Sequence, residues 1–240
     1  MDILLLFQQF FNPSAYRDYA LFLSQAHLSV LLFFLLTLVW LYVYRNKPYM
    51  SKVRWILFGV LVFTEIALIT WTITNGFWDI RYNLPLHLCT ISLFLSAYML
   101  LTKNYRIFEV LYFFGLGGAI QAMLTPDLTY TFPHFRFFHF FIAHIAIILA
   151  VLYMVWIFKY TVTIGSLIKS FIVLNGLALI AFSVNQLTGA NYMFLARKPQ
   201  GPSMLDWLGP YPWYILSLQL IVLVIFFLLY LPFRQKKTSS

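Results

Sequence analysis

The chain carries a single cysteine, Cys89, and five histidines, and the nucleophilic chemistry open to it turns on whether one of those imidazoles meets that thiol. A thiol in apolar surroundings is inert unless a base or a cation stabilises its thiolate. His87 is a poor partner, because two residues along a helix turn about 200° and point the side chains apart. His139 and His144 differ by about 140° on the helical wheel, so a regular helix aims at most one of them at the thiol. Placed on helices entering from the same side, Cys89 lies about 8 Å and His144 about 12 Å below the boundary, so a Cys89–His144 pair is allowed. The plain alternative is an inert buried thiol. Cys89, Ser92 and Ser96 follow a three-and-four spacing and share one helix face, which either lines a cavity or packs on a neighbour. Glu65 falls near the middle of an apolar segment, where an isolated carboxylate is costly. It is either a structural hydrogen-bonding group or a handler of protons or substrate. The histidines lack the spacing of a zinc site and no glutamate stands beside a pair of them, so no metal and no cofactor is implied.

These groups must be positioned inside a membrane. Of the 240 residues, 62% are hydrophobic and 10% charged, against about 25% charged in an ordinary soluble domain. That balance excludes a water-soluble enzyme core. The net charge of +9 is spread over short loops beside apolar runs and forms no stripe, so it implies no nucleic-acid partner. One cysteine excludes an internal disulfide, and the short apolar run after Met1-Asp2 is not a secretory signal. The reading is an all-α bundle forming one integral membrane domain over 1-240. Its seven helices lie near 20-44, 54-75, 84-101, 107-124, 136-158, 167-187 and 212-232. The fourth carries Gly115, Gly117 and Gly118, small residues that permit close packing. The stretch Ile3 to Phe11, ended by Asn12-Pro13-Ser14, reads as a short interfacial helix.

Lysines and arginines divide unequally between the two ends. Eleven fall in the loops after helices one, three and five and in the tail, and five on the other side. The positive-inside rule then places the N-terminus outside and the C-terminus in the cytoplasm, in a multi-pass protein of the cell membrane. The longest outer loop, 188-211, is rich in aromatic and aliphatic residues that should pack onto the helices. Its Arg197-Lys198 pair, at headgroup height, either holds a lipid phosphate or anchors the loop. Trp207, Tyr211, Trp213 and Tyr214 read as an interfacial aromatic belt.

Four motifs in order carry a resemblance over about residues 80 to 215: Leu84-Pro85-Leu86-His87-Leu88-Cys89; Gly117-Gly118-Ala119-Ile120-Gln121-Ala122-Met123-Leu124-Thr125-Pro126-Asp127; Phe137-Phe138-His139 leading to His144; and Asn191-Tyr192-Met193-Phe194-Leu195 through Lys198-Pro199 to Leu205-Asp206 and Gly209-Pro210-Tyr211-Pro212-Trp213-Tyr214. Together they resemble the bacterial YwaF-like integral membrane family, itself similar to the animal transmembrane protein 164 family. The resemblance implies a seven-helix fold and a lipid acyltransferase using a cysteine and a histidine. Cys89 matches the motif cysteine, His144 is the chosen histidine, and His139 is the fallback. Phospholipid and lysophospholipid are the implied substrates. Gln121, Asn191 or backbone amides would steady the oxyanion, with His87 a further supporting group. The reading from another class is a proton-coupled transporter or lipid-binding permease without covalent chemistry, with Glu65 titrating.

Overall fold

The computed structural model describes residues 10–14, 21–199 and 204–234. Among them are seven long helices and no strand: α1 (Gln25–Val43), α2 (Met50–Thr74), α3 (Leu88–Thr102), α4 (Tyr105–Leu124), α5 (Phe135–Trp156), α6 (Ile164–Thr188) and α7 (Trp213–Arg234). Two 3-10 turns, Tyr192–Phe194 and Met204–Leu208, lie in the long connection before α7. Most of the expected interfacial segment, and the tail beyond Arg234, fall outside the described residues.

Six helices are long and apolar enough to cross a membrane. The exception is α3, whose 15 residues rise about 22 Å, short of the roughly 30 Å of a hydrocarbon core. The expected third span, 84-101, therefore begins four residues late. Pro85 biases Leu84 away from helical geometry, Leu86 N–H turns back to the Leu84 carbonyl at 2.7 Å, and His87 stays extended as the N-cap. At the other boundaries local chemistry decides. The hydroxyl of Ser24 accepts from His27 N–H and starts α1. Thr163 and Ser166 form a capping box before α6. In α2 the cations Lys52 and Arg54 lie inside the first turns rather than in the loop, because their long stems let the charges reach the interface from helical positions.

The bundle is built outward from α4 and α5, which bury 61% of their apolar windows, whereas α1 and α7 bury 11%. Peripheral helices turn Leu32, Phe33, Ile56, Phe63, Ile172, Leu179, Leu220 and Val224 outward. That ring of exposed aliphatic and aromatic side chains is unsuited to water and suited to lipid tails. The protein is a helical membrane bundle. The α4 glycines mark close approaches: a Cβ at Gly117 would lie 3.3 Å from Ile225 on α7, and one at Gly118 the same distance from Leu88 at the start of α3. Gly118 thus sets how near the cysteine-bearing turn comes to the bundle centre.

Helices alternate in direction, so the connections 44–49, 103–104 and 157–163 gather at one end with the carboxyl end of α7. Tyr153 Oη donates to the Met50 carbonyl at 2.8 Å, Tyr160 Oη to Lys103 at 2.7 Å, and Tyr105 Oη to Thr161 at 2.8 Å, tying that basic end together. Buried Glu109 accepts from Ser166 Oγ and from Lys169 Nζ, pinning α4 to α6. At the opposite end, Trp71 Nε1, His134 Nε2 and Tyr130 Oη donate to the carbonyls of Phe11, Asn12 and Pro13, so residues 10–14 lie as a strap across α2 and α5.

His134 holds that strap and also caps α5, its Nδ1 accepting from Arg136 N–H at 3.0 Å. One ring nitrogen accepts and the other donates, which only a neutral imidazole can do. Burial pushes its pKa down from the ordinary histidine value. A histidine kept neutral by folding contributes stability above its unfolded pKa of about 6.5, and loses it as pH falls through the depressed folded value. Amide-exchange protection over residues 10–14, corrected for the intrinsic rate at each pH, should fall from pH 7 to pH 5, and His134→Phe should remove that dependence. Equal protection at both pH values would separate the strap from His134.

Candidate functional site

Counting residues from the basic end shows which polar groups share a level. Cys89 stands about 20 Å above the carboxyl end of α3 and His144 about 18 Å above that of α5. By the same rise Glu65 is about 22 Å, Gln121 about 24 Å and His139 about 26 Å above the basic ends of their helices. By this count the thiol and His144 stand at similar heights along α3 and α5, two helices that pack on each other. Cys89 is not several residues into a full-length helix; it is the second residue of a short helix that begins part-way down.

The connection 76–87 descends to meet it, and non-helical backbone at membrane depth survives only where the protein satisfies its polar groups. Tyr192, fully buried, supplies them: its hydroxyl donates to the Ile80 carbonyl at 2.5 Å and accepts from Leu84 N–H at 3.0 Å. Its ring meets His87 edge-on at 4.9 Å between centroids. Arg81 grips Asp79 through its guanidinium and backbone N–H, holding that carboxyl down at about 2. Tyr192→Phe would strand both a carbonyl and an amide, which costs about 1–3 kcal/mol. We expect a lower unfolding temperature in detergent and faster alkylation of Cys89 by an apolar maleimide. A variant unchanged in both would show that the descent stands without the hydroxyl.

Ser92 and Ser96, on the face of Cys89, are buried, and Ser96 Oγ has no hydrogen-bond partner. The stripe thus faces the bundle interior, and the half-buried free thiol begins it. His87 contributes no side-chain cap to α3, so the first-turn amides of Leu88, Cys89 and Thr90 point out of the helix start with the positive end of its dipole.

His144 is buried, and its Nδ1 donates to the Phe140 carbonyl at 2.6 Å. That bond selects the Nδ1–H tautomer of the neutral ring and leaves the lone pair on Nε2. Nε2 is buried with no hydrogen-bond partner, Cys89 included. His139 is differently occupied. Arg136 Nη1 donates to its Nδ1 at 3.3 Å, and the Thr64 backbone of α2 lies beside its ring.

Arg136, counted among the five cations of the outer side, sits in the first turn of α5 with its guanidinium 6.0 Å from the Trp71 ring centroid. Glu65 faces the same region from α2, near enough to feel the Arg136 charge but not paired with it in a salt bridge. This Glu65–Arg136–His139 group was missed because its members are distant in sequence. The one available signal was the position of Arg136 beside two histidines.

Other expected site residues are committed elsewhere. Asn191 donates to the Arg197 carbonyl at 2.9 Å and accepts from the amides of Ala196 and Arg197, so it closes its own loop instead of facing Cys89. Gln121 is exposed and donates to Thr125 Oγ1 at 2.6 Å. Arg197 is exposed, whereas Lys198 lies 3.8 Å from the Asp206 carboxylate and over Tyr214. Tyr214 is no belt residue: it is fully buried and donates to the Phe194 carbonyl. The loop does pack down, with Ala190, Tyr192 and Leu195 forming a small core against Ala181. Among the described residues, no three His, Cys, Asp or Glu side chains stand together to hold a metal ion.

Comparison with known proteins gives a family and one relative. The profile of the TMEM164 family matches residues 22–230. An uncharacterized protein of Treponema pallidum (strain Nichols) is 28% identical over 154 residues, which cover 64% of this chain and 63% of that protein. No solved structure matches.

Proposed function

The chain belongs to the TMEM164 family, and from that premise we propose that it is a membrane-embedded phospholipid acyltransferase or transacylase working through a Cys89 thioester. The observation that carries the reading is the buried, unpaired Nε2 of His144, level with the thiol. Buried polar atoms rarely go without a partner, and a lone pair held in one tautomer inside the bundle is what a general base for a thiol needs to offer.

In the first half-reaction Cys89 Sγ attacks the ester carbonyl carbon of a phospholipid while its proton passes to His144 Nε2. The carbon–oxygen bond of the ester breaks, His144 returns the proton to the departing alkoxide, and a lysophospholipid leaves. In the second, His144 deprotonates the hydroxyl of an acceptor lysophospholipid, which attacks the thioester and frees the thiol. The amides of Leu88, Cys89 and Thr90 are the best-placed donors for the oxyanion, since the side chains of Asn191 and Gln121 are engaged elsewhere.

The charge count favours the cysteine end outside and the C-terminus in the cytoplasm of the cell membrane. A reporter fused after Ser240 should be active inside; activity outside would invert the bundle. With the site in the outer half, acyl-CoA, large and confined to the cytoplasm, has no route to the thiol. The purified chain should therefore transfer label from a diacyl phospholipid to a lysophospholipid with no CoA thioester present. Transfer only when acyl-CoA is added would overturn this reading. The carrier alternative rests on Glu65 of α2, and the two readings separate in one experiment. Glu65→Gln should leave label transfer measurable, whereas a proton-coupled carrier would stop.

A further inference from the structure

The basic end holds a cavity that the reaction above does not use. It encloses about 520 Å³ between the α1–α2 connection, the start of α2, the turn from α3 to α4 and the end of α5. That is within the range of about 300–1,000 Å³ of small-molecule sites. Arg45, Lys47, Lys52, Arg54 and Lys103 line it, and no carboxylate does. Glu109, an acidic residue of the same end, is already tied to Lys169 and Ser166.

Five cations around one cavity repel one another, and two features intensify the imbalance. Arg54 Nη1 is buried with no hydrogen-bond partner, an expensive condition for a charged donor. Lys52 occupies the first turn of α2, which has no acidic residue and no side-chain cap, so a cation sits where the helix dipole favours an anion. Arg45 is partly occupied, donating to the Tyr42 carbonyl at 2.5 Å. Lys103, in the left-handed turn at φ 55°, presents its ammonium 5.2 Å from the Phe158 ring centroid. The exposed rings of Tyr49 and Trp55 beside the cavity place it at headgroup height.

We infer that this cavity is a binding site for a phosphate-bearing anion, held by Arg54, Lys52 and Lys103. A guanidinium offers a bidentate fork and two ammonium groups add point charges, the donor set that phosphate oxygens take. The site lies about 20 Å along the bundle from Cys89, so it is separate from the thiol. The phosphate belongs either to the headgroup of an anionic lipid or to a soluble phosphate compound.

The test uses the full chain in a neutral detergent at constant ionic strength, titrated with short-chain phosphatidic acid, short-chain phosphatidylcholine and inorganic phosphate, and read by native mass spectrometry and thermal unfolding. Saturable one-to-one binding of phosphatidic acid is expected, with a raised unfolding temperature. Arg54→Gln and Lys103→Gln should each weaken it about tenfold, the loss of one charge-assisted contact. Lys159→Gln, at the same end but outside the cavity, should change nothing. Because Arg54 is half-buried, the exposed pair Lys52→Gln with Lys103→Gln supplies the same test in a chain whose packing is untouched. Inorganic phosphate binding as well as the lipid identifies a soluble ligand; phosphatidic acid binding alone identifies a headgroup. Both outcomes uphold the site. Non-saturable uptake, or binding lowered as much by Lys159→Gln as by the cavity variants, reduces it to general surface charge and overturns the inference.

Discussion

Cys89→Ala is expected to stop label transfer between phospholipids, lowering it by roughly three orders of magnitude or more, because no other group can carry the acyl chain between donor and acceptor. The chain should still fold. Cys89 caps nothing and begins a stripe whose other members are buried serines, and losing one half-buried sulfur costs about 1 kcal/mol. Cys89→Ser should retain a trace, since a hydroxyl offers far less anion at neutral pH than a thiol. The intermediate gives an independent check: a radiolabelled acyl donor should label the wild-type chain, hydroxylamine should release that label, and the alanine variant should take up none. Transfer that survives in Cys89→Ala would make the thiol a packing group and end the thioester mechanism.

The second large effect is expected at His144. Replacing it with Gln removes the lone pair while keeping a polar side chain of similar reach, and a lost general base costs about 10²- to 10⁴-fold. The loss should appear in kcat with little change in KM, because proton transfer belongs to the transition state and not to substrate binding. His139→Gln should cost less, since the Nδ1 of His139 is occupied by Arg136. If His139→Gln proved the more damaging, the base would move to His139, with Arg136 orienting it. If neither mattered, the unpaired Nε2 of His144 would need another explanation.

The seven apolar segments were legible in the sequence because a bilayer demands long uninterrupted runs, and composition alone reveals those. What composition hid was every feature whose cause is distant in the chain. The late start of α3 depends on a tyrosine hydroxyl more than 100 residues away, bonding Ile80 and Leu84. The placement of Arg136 against Trp71 joins α5 to a different helix. Asn191 looked like a free amide until its loop was seen to fold back on it. Cys89 and His144 were legible in sequence as groups of similar depth, but the expected start of the cysteine's helix was four residues too early. The extra depth assigned to the thiol within its helix stands in for the descent of the connection before it.

The shortness of α3 has a further consequence, for the bilayer itself. A helix of about 22 Å in a hydrocarbon slab of about 30 Å leaves a mismatch of about 8 Å, all of it above Cys89. Lipids bordering that flank meet loop backbone and aromatic rings where they would otherwise meet a helix, and they accommodate by tilting and thinning the leaflet. Thinning lowers the headgroups and brings an ester linkage, which sits just beneath them, toward the level of the sulfur. The protein thus need not pull a whole lipid out of the membrane. Under the proposed reaction, deformation of the lipid annulus would do part of the work of substrate delivery, and bilayer thickness would become a variable of the rate.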